Sequence, residues 1–183
     1  RHGLAYVLRN ARHVVAAGGY LIRAGDPTRA RAVLEQHVAA APPGPGRADA
    51  LRQLADARSS DDWRAKIEIL DQALAEAGDD HRLRGEILQA LSQATWITAG
   101  EARIQLELAA AAVAEAEAQD DPVTRCSAYL TAVFARLNAG EGLAEGLLAK
   151  AEALAPLVEH ERVFLWPATT RGVTDRACDR LER

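Results

Sequence analysis

Apolar residues recur at spacings of three and four along almost the whole chain, and no sustained alternation of period two occurs. Three-and-four spacing puts side chains on one face of an α-helix, whereas a half-buried strand needs alternation. Leu4, Val7, Leu8, Val14 and Val15, with Leu21, mark a first helix. Asp26-Pro27 then supplies an N-cap followed by proline at the first helical position, where its missing N–H costs no bond. A second helix carries Ala30, Val33, Leu34 and Val38 and stops at Pro42-Pro43-Gly44-Pro45-Gly46, the strongest breaker in the sequence. A third covers Leu51, Leu54 and Ala57. Ser59-Ser60-Asp61-Asp62 caps a fourth, with Ile67, Leu70, Ala73 and Leu74 on one face. Gly78-Asp79-Asp80 opens a fifth, with Leu83, Ile87, Leu88, Leu91 and Ala94, broken at Gly100. A sixth carries Ile104, Leu108, Ala112 and Ala116. Asp120-Asp121-Pro122 repeats the cap-and-proline device before a seventh with Leu130, Val133, Phe134 and Leu137. After Gly140, an eighth through Leu143, Leu147, Ala151 and Leu154 runs to Pro156. A short helix over Val158–Trp166 stops at Pro167, and a last amphipathic stretch holds Val173, Ala177 and Leu181.

These helices pair. The breaks inside the pairs fall near Gly25, Asp61, Gly100 and Gly140, a period of roughly 36 to 40 residues, in the range of helical-repeat solenoids. The second helices resemble one another: Val33-Leu34-Glu35-Gln36 and Ile69-Leu70-Asp71-Gln72 each set a Leu, an acid and a Gln at one offset from the cap. A lone hairpin cannot bury its apolar residues, but stacking on neighbours can. The expected fold is all-α: a solenoid of about four helical hairpins near 4–40, 47–77, 81–118 and 122–155, with C-terminal helices over 157–183. We read residues 1–183 as a single repeat domain and, since the chain starts at Arg1 and has no Met, as a segment of a larger protein.

Composition narrows the function. The net charge of −4 provides no basic face to neutralise nucleic-acid phosphates. Arg9–Arg12 and Arg29–Arg31 read as solvated helix faces. No apolar run approaches the roughly 18 residues of a membrane span. Cys126 and Cys178 lie in helix-like patterns and read as buried free thiols of a reducing compartment, with a structural disulfide as the alternative. Aromatics are only 4% of the chain, so the core must be aliphatic. Alanine is abundant, but arginine also far outnumbers lysine; both follow from a GC-rich coding bias, which weakens the alanines as evidence.

The pattern Gly25-Asp26 with Ala30, Leu34 and Glu35 resembles the tetratricopeptide repeat. Further segments extend the likeness: Arg23-Ala24-Gly25-Asp26-Pro27, Pro42 to Ala48, Asp61-Asp62-Trp63, Gln72 to Asp80, and Gly140-Glu141-Gly142-Leu143-Ala144-Glu145. Together they resemble the helical region of large ATP-binding LuxR-type (MalT-like) transcriptional regulators of actinobacteria. The resemblance implies a right-handed α-α superhelix, between an N-terminal P-loop ATPase and a C-terminal helix-turn-helix. It implies a non-catalytic, cytoplasmic sensor or scaffold for a protein partner or small-molecule effector, with no direct nucleic-acid contact, no membrane, and homo-oligomerisation left open. ATP belongs only to the N-terminal part: Gly18-Gly19 is too short to cradle phosphates and lacks the lysine, so no cofactor is expected in this segment. The alternative is a free-standing tetratricopeptide-like adaptor for a peptide or protein.

Chemistry-bearing residues are sparse. Asp61-Asp62, Asp79-Asp80 and Asp120-Asp121 could suggest acid–base or cation chemistry, but each pair stands where a helix begins and reads as a cap. Glu159-His160-Glu161 are adjacent on a helix and cannot converge on one ion. No catalytic residue or metal ligand is expected. The candidate partner-binding residues are Gln89, Gln93 and Trp96, spaced i, i+4 and i+7 opposite the Leu88–Leu91 stripe. Arg125, Tyr129 and Arg136 form a similar non-core stripe one repeat later. Polar and aromatic groups together suit a ligand surface; packing between repeats is the competing reading. Trp63 reads as an anchor between helices.

Overall fold

A computed structural model describes residues 2–58, 62–99, 101–158 and 167–181, with only the backbone described at 2–12, 99 and 177–181. Among the described residues there are nine α-helices and no strand. The helices are α1 (His2–Arg23), α2 (Pro27–Ala40), α3 (Pro45–Ala57), α4 (Trp63–Glu76), α5 (His81–Ala99), α6 (Ala102–Glu117), α7 (Pro122–Asn138), α8 (Glu145–Val158) and α9 (Pro167–Leu181). Their starts follow the expected chemistry. Asp26 accepts the backbone N–H of Arg29 (3.0 Å), Asp62 that of Ala65 (3.2 Å) and Asp80 that of Leu83 (3.0 Å). Asp121 accepts those of Val123 and Thr124. Each bond satisfies a donor that the helix leaves unpaired, typically worth ~1 kcal/mol. Asp26, Asp62, Asp80 and Asp121 are therefore caps, whereas Asp120 pairs with Arg125.

The chain divides into two compact units, Arg1–Leu83 and Arg84–Arg183. In the first, α1 packs on α2 and α3, α2 on α3, and α3 on α4. Val15, Ala30, Leu34, Ala50, Leu54 and Ala57 form a core, with Leu21, Ile22, Val38 and Ile69 against it. Gly18 permits the α1–α2 approach: a Cβ there would lie 2.7 Å from the Cδ2 of Leu34, which is itself fully buried. Arg47, in the first turn of α3, donates from Nε to the Val38 carbonyl (3.0 Å) and from Nη1 to Glu76 (2.6 Å). It thereby ties the end of α2 to the end of α4. The α1–α2 joint is a Schellman motif. With Gly25 at φ +81, Gly25 N–H bonds the Ile22 carbonyl and Asp26 N–H the Leu21 carbonyl.

In the second unit, α6 packs on α7, α7 on α8 and α9, and α8 on α9. Polar side chains fasten α5 to its neighbours: Ser92 Oγ donates to the Gln105 carbonyl on α6 (3.2 Å), and Ser127 Oγ on α7 donates to Gln89 Oε1 (2.6 Å). Cys126, Tyr129, Leu130, Val133, Leu148, Ala151 and Val158 form the core of this unit. Arg171 of α9 reaches Glu152 (2.6 Å) and Glu145 (3.2 Å) of α8.

Several expectations need correction. The eighth helix does not stop before Pro156 but runs to Val158. Proline there lies in the last turn, so it removes one terminal hydrogen bond and not a ladder. Leu143 lies in the turn ahead of α8, and the fully buried leucine of that helix is Leu148, off the expected Leu147 stripe. Trp63 is half-buried, with the Lys66 ammonium of its own helix 4.4 Å from its ring centroid. The short helix over Val158–Trp166, Glu159-His160-Glu161, Asp61, Gly100 and the side chain of Cys178 lie outside the described residues beyond Val158 itself.

Candidate functional site

The second unit contains a hollow whose origin is small residues facing small residues. α6 presents Ala109 and α7 presents Ala132 and Ala135, all buried at the seam, with Leu106, Val113 and Leu147 packed around them. Alanines let the two helices approach closely, and their short side chains do not reach out over the groove beside the seam. A solvent-open cavity of about 370 Å³ lies there, lined by Leu106, Ala109, Ala110 and Val113 of α6, Ala132 and Arg136 of α7, Glu141, and Leu147 of α8. Its walls are aliphatic. The only ionisable groups are Arg136 and Glu141, both about half exposed, so charge stands at the rim and not in the interior.

The rim is positioned by the backbone. α7 ends in a second Schellman motif, with Gly140 at φ +75, Gly140 N–H on the Leu137 carbonyl and Glu141 N–H on the Arg136 carbonyl. That geometry usually brings two apolar side chains together; here it brings Arg136 and Glu141 together. Their Nε–Oε2 distance is 3.9 Å, an ion pair too long for a hydrogen bond.

Beside the cavity, one carboxylate ties three helices. Tyr129 of α7 donates its hydroxyl to Glu117 Oε1 at the end of α6 (3.0 Å), and Lys150 of α8 approaches the same oxygen at 2.9 Å. The Lys150 ammonium also stands 5.1 Å from the Tyr129 ring centroid. Hydrogen bonds from Lys150 and Tyr129 hold Glu117 below its ordinary pKa. Burial, then the bond to Glu117, pushes the Tyr129 phenol up. The cluster is a clasp in which one carboxylate oxygen takes both donors.

The six residues singled out in the sequence therefore separate. Tyr129 belongs to the core at 6% exposure, and Gln89, also 6% exposed, is bonded to Ser127; neither lies on an outward stripe. The wider polar band on α5 and α7 buries them, because Ser92, Gln89 and Ser127 form contacts between helices. Arg125 donates to the Gln119 carbonyl and pairs with Asp120 at 3.2 Å, gripping the end of α6. Gln93 is half-buried and Trp96 is exposed. Arg136 alone of the six lines the cavity. Sequence reasoning missed Ala109, Ala132, Glu141 and Leu147. The signal was the run Ala109–Ala112, which reads equally as helix propensity. Among the described residues no group of three or more His, Cys, Asp and Glu could hold a metal ion, and no helix is long and apolar enough to cross a membrane.

Compared with known proteins, the chain matches no family model, and no curated protein or solved structure matches it.

Proposed function

We propose that the chain is a recognition module built of helical hairpins, acting as the non-catalytic sensor or scaffold segment of a LuxR-type ATP-dependent regulator. The observation that supports this is a packing scheme that recurs. α1 packs on its partner α2 and on the next first helix, α3; α7 packs on α8 and, more lightly, on α9. α5 repeats it through Ser92 to α6 and Gln89 to α7. A hairpin that buries its face on the next hairpin is the unit of a tetratricopeptide-like solenoid, and such modules present surfaces and pockets to partners. In this reading the segment works in the cytoplasm, takes a protein or small-molecule effector, and leaves ATP and DNA to flanking domains.

The test is the coding sequence on either side of these 183 residues. A phosphate-binding loop upstream and a helix-turn-helix downstream are the expected result. A reading frame that encodes neither overturns the regulator reading.

A further inference from the structure

We infer that the cavity between α6, α7 and α8 is a binding site for a small amphipathic carboxylate, with its apolar body among the alanines and its carboxylate on Arg136. The inference deepens the reading of this chain as a recognition module and does not depend on its place in a regulator.

Three observations carry it. The first is size. At about 370 Å³ the cavity falls in the range of small-molecule pockets, roughly 300–1,000 Å³. The second is the chemistry of its walls. Leu106, Ala109, Val113, Ala132 and Leu147 offer only methyl and methylene surface, so the part of a ligand that enters must be apolar. A polar group buried there would lose its water with no partner to replace it. The third is the rim. Among the described residues, the Arg136 side chain has one polar partner, Glu141, held at 3.9 Å without a hydrogen bond. Its planar fork of donors is thus free to take a ligand carboxylate in the bidentate manner that suits guanidinium. Both partners are about half exposed, at 53% and 49%, so separating them returns Glu141 to water at little cost. Glu141 would in turn disfavour a second negative charge, which points to one carboxylate and not to a di-acid or a phosphate.

The carboxylate preference rests on the shape of the donor and not on the charge of the pair. Glu141 follows Gly140 and precedes Gly142, both at positive φ (75° and 76°), so the turn sets its place on the solvent-facing rim beside Arg136. Only the Arg136 guanidinium offers a planar two-point bond, which a single ammonium on Glu141 does not match, so a carboxylate is favoured over an amine of the same length.

The probe is decanoate, titrated calorimetrically below its micellar concentration into the purified chain, with decylamine and decanol as matched controls. Decanoate binds with one-to-one stoichiometry and at least tenfold more tightly than either control. Arg136→Gln, an exposed change, weakens decanoate by about tenfold or more, as expected for loss of a charge-assisted bond pair, and leaves decanol unchanged. Glu141→Gln binds decanoate as well as the parent or a few-fold better. Ala132→Leu fills the cavity and abolishes binding of all three. Should that variant not fold, methyl chemical shifts of Ala109, Ala132 and Leu147 on titration of the parent chain locate the site instead. No decanoate binding, equal binding by Arg136→Gln, equal binding of decylamine, or shifts elsewhere would each overturn the assignment. None of these outcomes bears on the flanking-sequence test of the regulator reading, so the two can fail separately.

Discussion

α1 and α7 end in the same backbone motif and use it differently. At the end of α1, Asp26 closes the Schellman turn and Leu21 joins the core. At the end of α7 the equivalent positions are Glu141 and Arg136, which leave the core and stand over a cavity. The seams behind these ends differ in the same sense. In the first unit a glycine faces a leucine, and Leu34 occupies the space that Gly18 leaves. In the second, alanine packs on alanine across α6 and α7, and a solvent-open depression lies beside that seam. Small against large closes a seam; small against small brings backbones together and leaves a hollow. Counting small residues along a helix does not distinguish the two, because the outcome depends on the residue opposite.

The largest effect that sharpens this contrast is Leu34→Ala. Its site is fully buried and faced by a glycine, which has no side chain to move into the space. The loss of unfolding free energy in urea should fall high in the ~2–5 kcal/mol range of such changes. Leu148→Ala, equally buried but with Leu147 and Leu154 packed around the same core, should cost less. Equal or reversed costs would break the comparison.

Next in size is a pair of opposite signs. Gly18→Ala drives a methyl into Leu34 and should destabilise by about 1–3 kcal/mol, reduced by the better helix propensity of alanine. Gly85→Ala meets its nearest atoms at 3.6 Å, an ordinary contact, and should stabilise by roughly 0.5–1 kcal/mol. The double variant Gly18→Ala with Leu34→Ala should cost less than the sum, since the added methyl enters the vacated space. Strict additivity in thermal or urea melts would show that the glycine and the leucine do not share one site.

The smallest effect is on pH. In the second unit Lys150 holds Glu117 low, and Arg171 holds Glu152 low. A carboxylate with a depressed folded pKa adds stability above its unfolded value, near ~4.3, and loses it as pH falls through the folded value. In the first unit Asp56 goes the other way: desolvation, opposed by Arg52, pushes it up, though 49% of its side chain still reaches water. A raised acid penalises the fold above its folded pKa, and acid relieves that penalty as pH falls toward the unfolded value. Urea midpoints between pH 7 and pH 3 should therefore fall less in the Lys150→Gln, Arg171→Gln double variant than in the parent. An identical acid response in both would remove the two ion pairs from the account.

Four helices were legible from a side-chain signal at their starts: Asp26, Asp62, Asp80 and Asp121 announce α2, α4, α5 and α7 and make the expected bonds. The core stripe Leu83, Ile87, Leu88, Leu91 and Ala94 was equally plain, and all five are buried. The site was not. Tyr129 and Gln89 look like surface residues because they are polar, but their partners, Glu117 and Ser127, lie 12 and 38 positions away. Helical periodicity carries no information about pairing over such separations. The cavity is less visible still, since it is made by side chains that are too short, and a short side chain has the same letter whether it is well packed or facing a void.

The joint at Asp26 has a mechanical corollary. One residue terminates α1 through its N–H and starts α2 through its carboxylate, so only Ala24, Gly25 and Asp26 separate two helices and both ends of that link are bonded. Such a link has no slack. A rotation of α1 about its axis must be transmitted to α2 as torque, and an inserted residue has no loop to absorb it. Between α7 and α8 the chain instead crosses six residues, Ala139 to Ala144, and the same bonded turn holds only the first of them, through Glu141, so an inserted residue can be taken up before α8 begins.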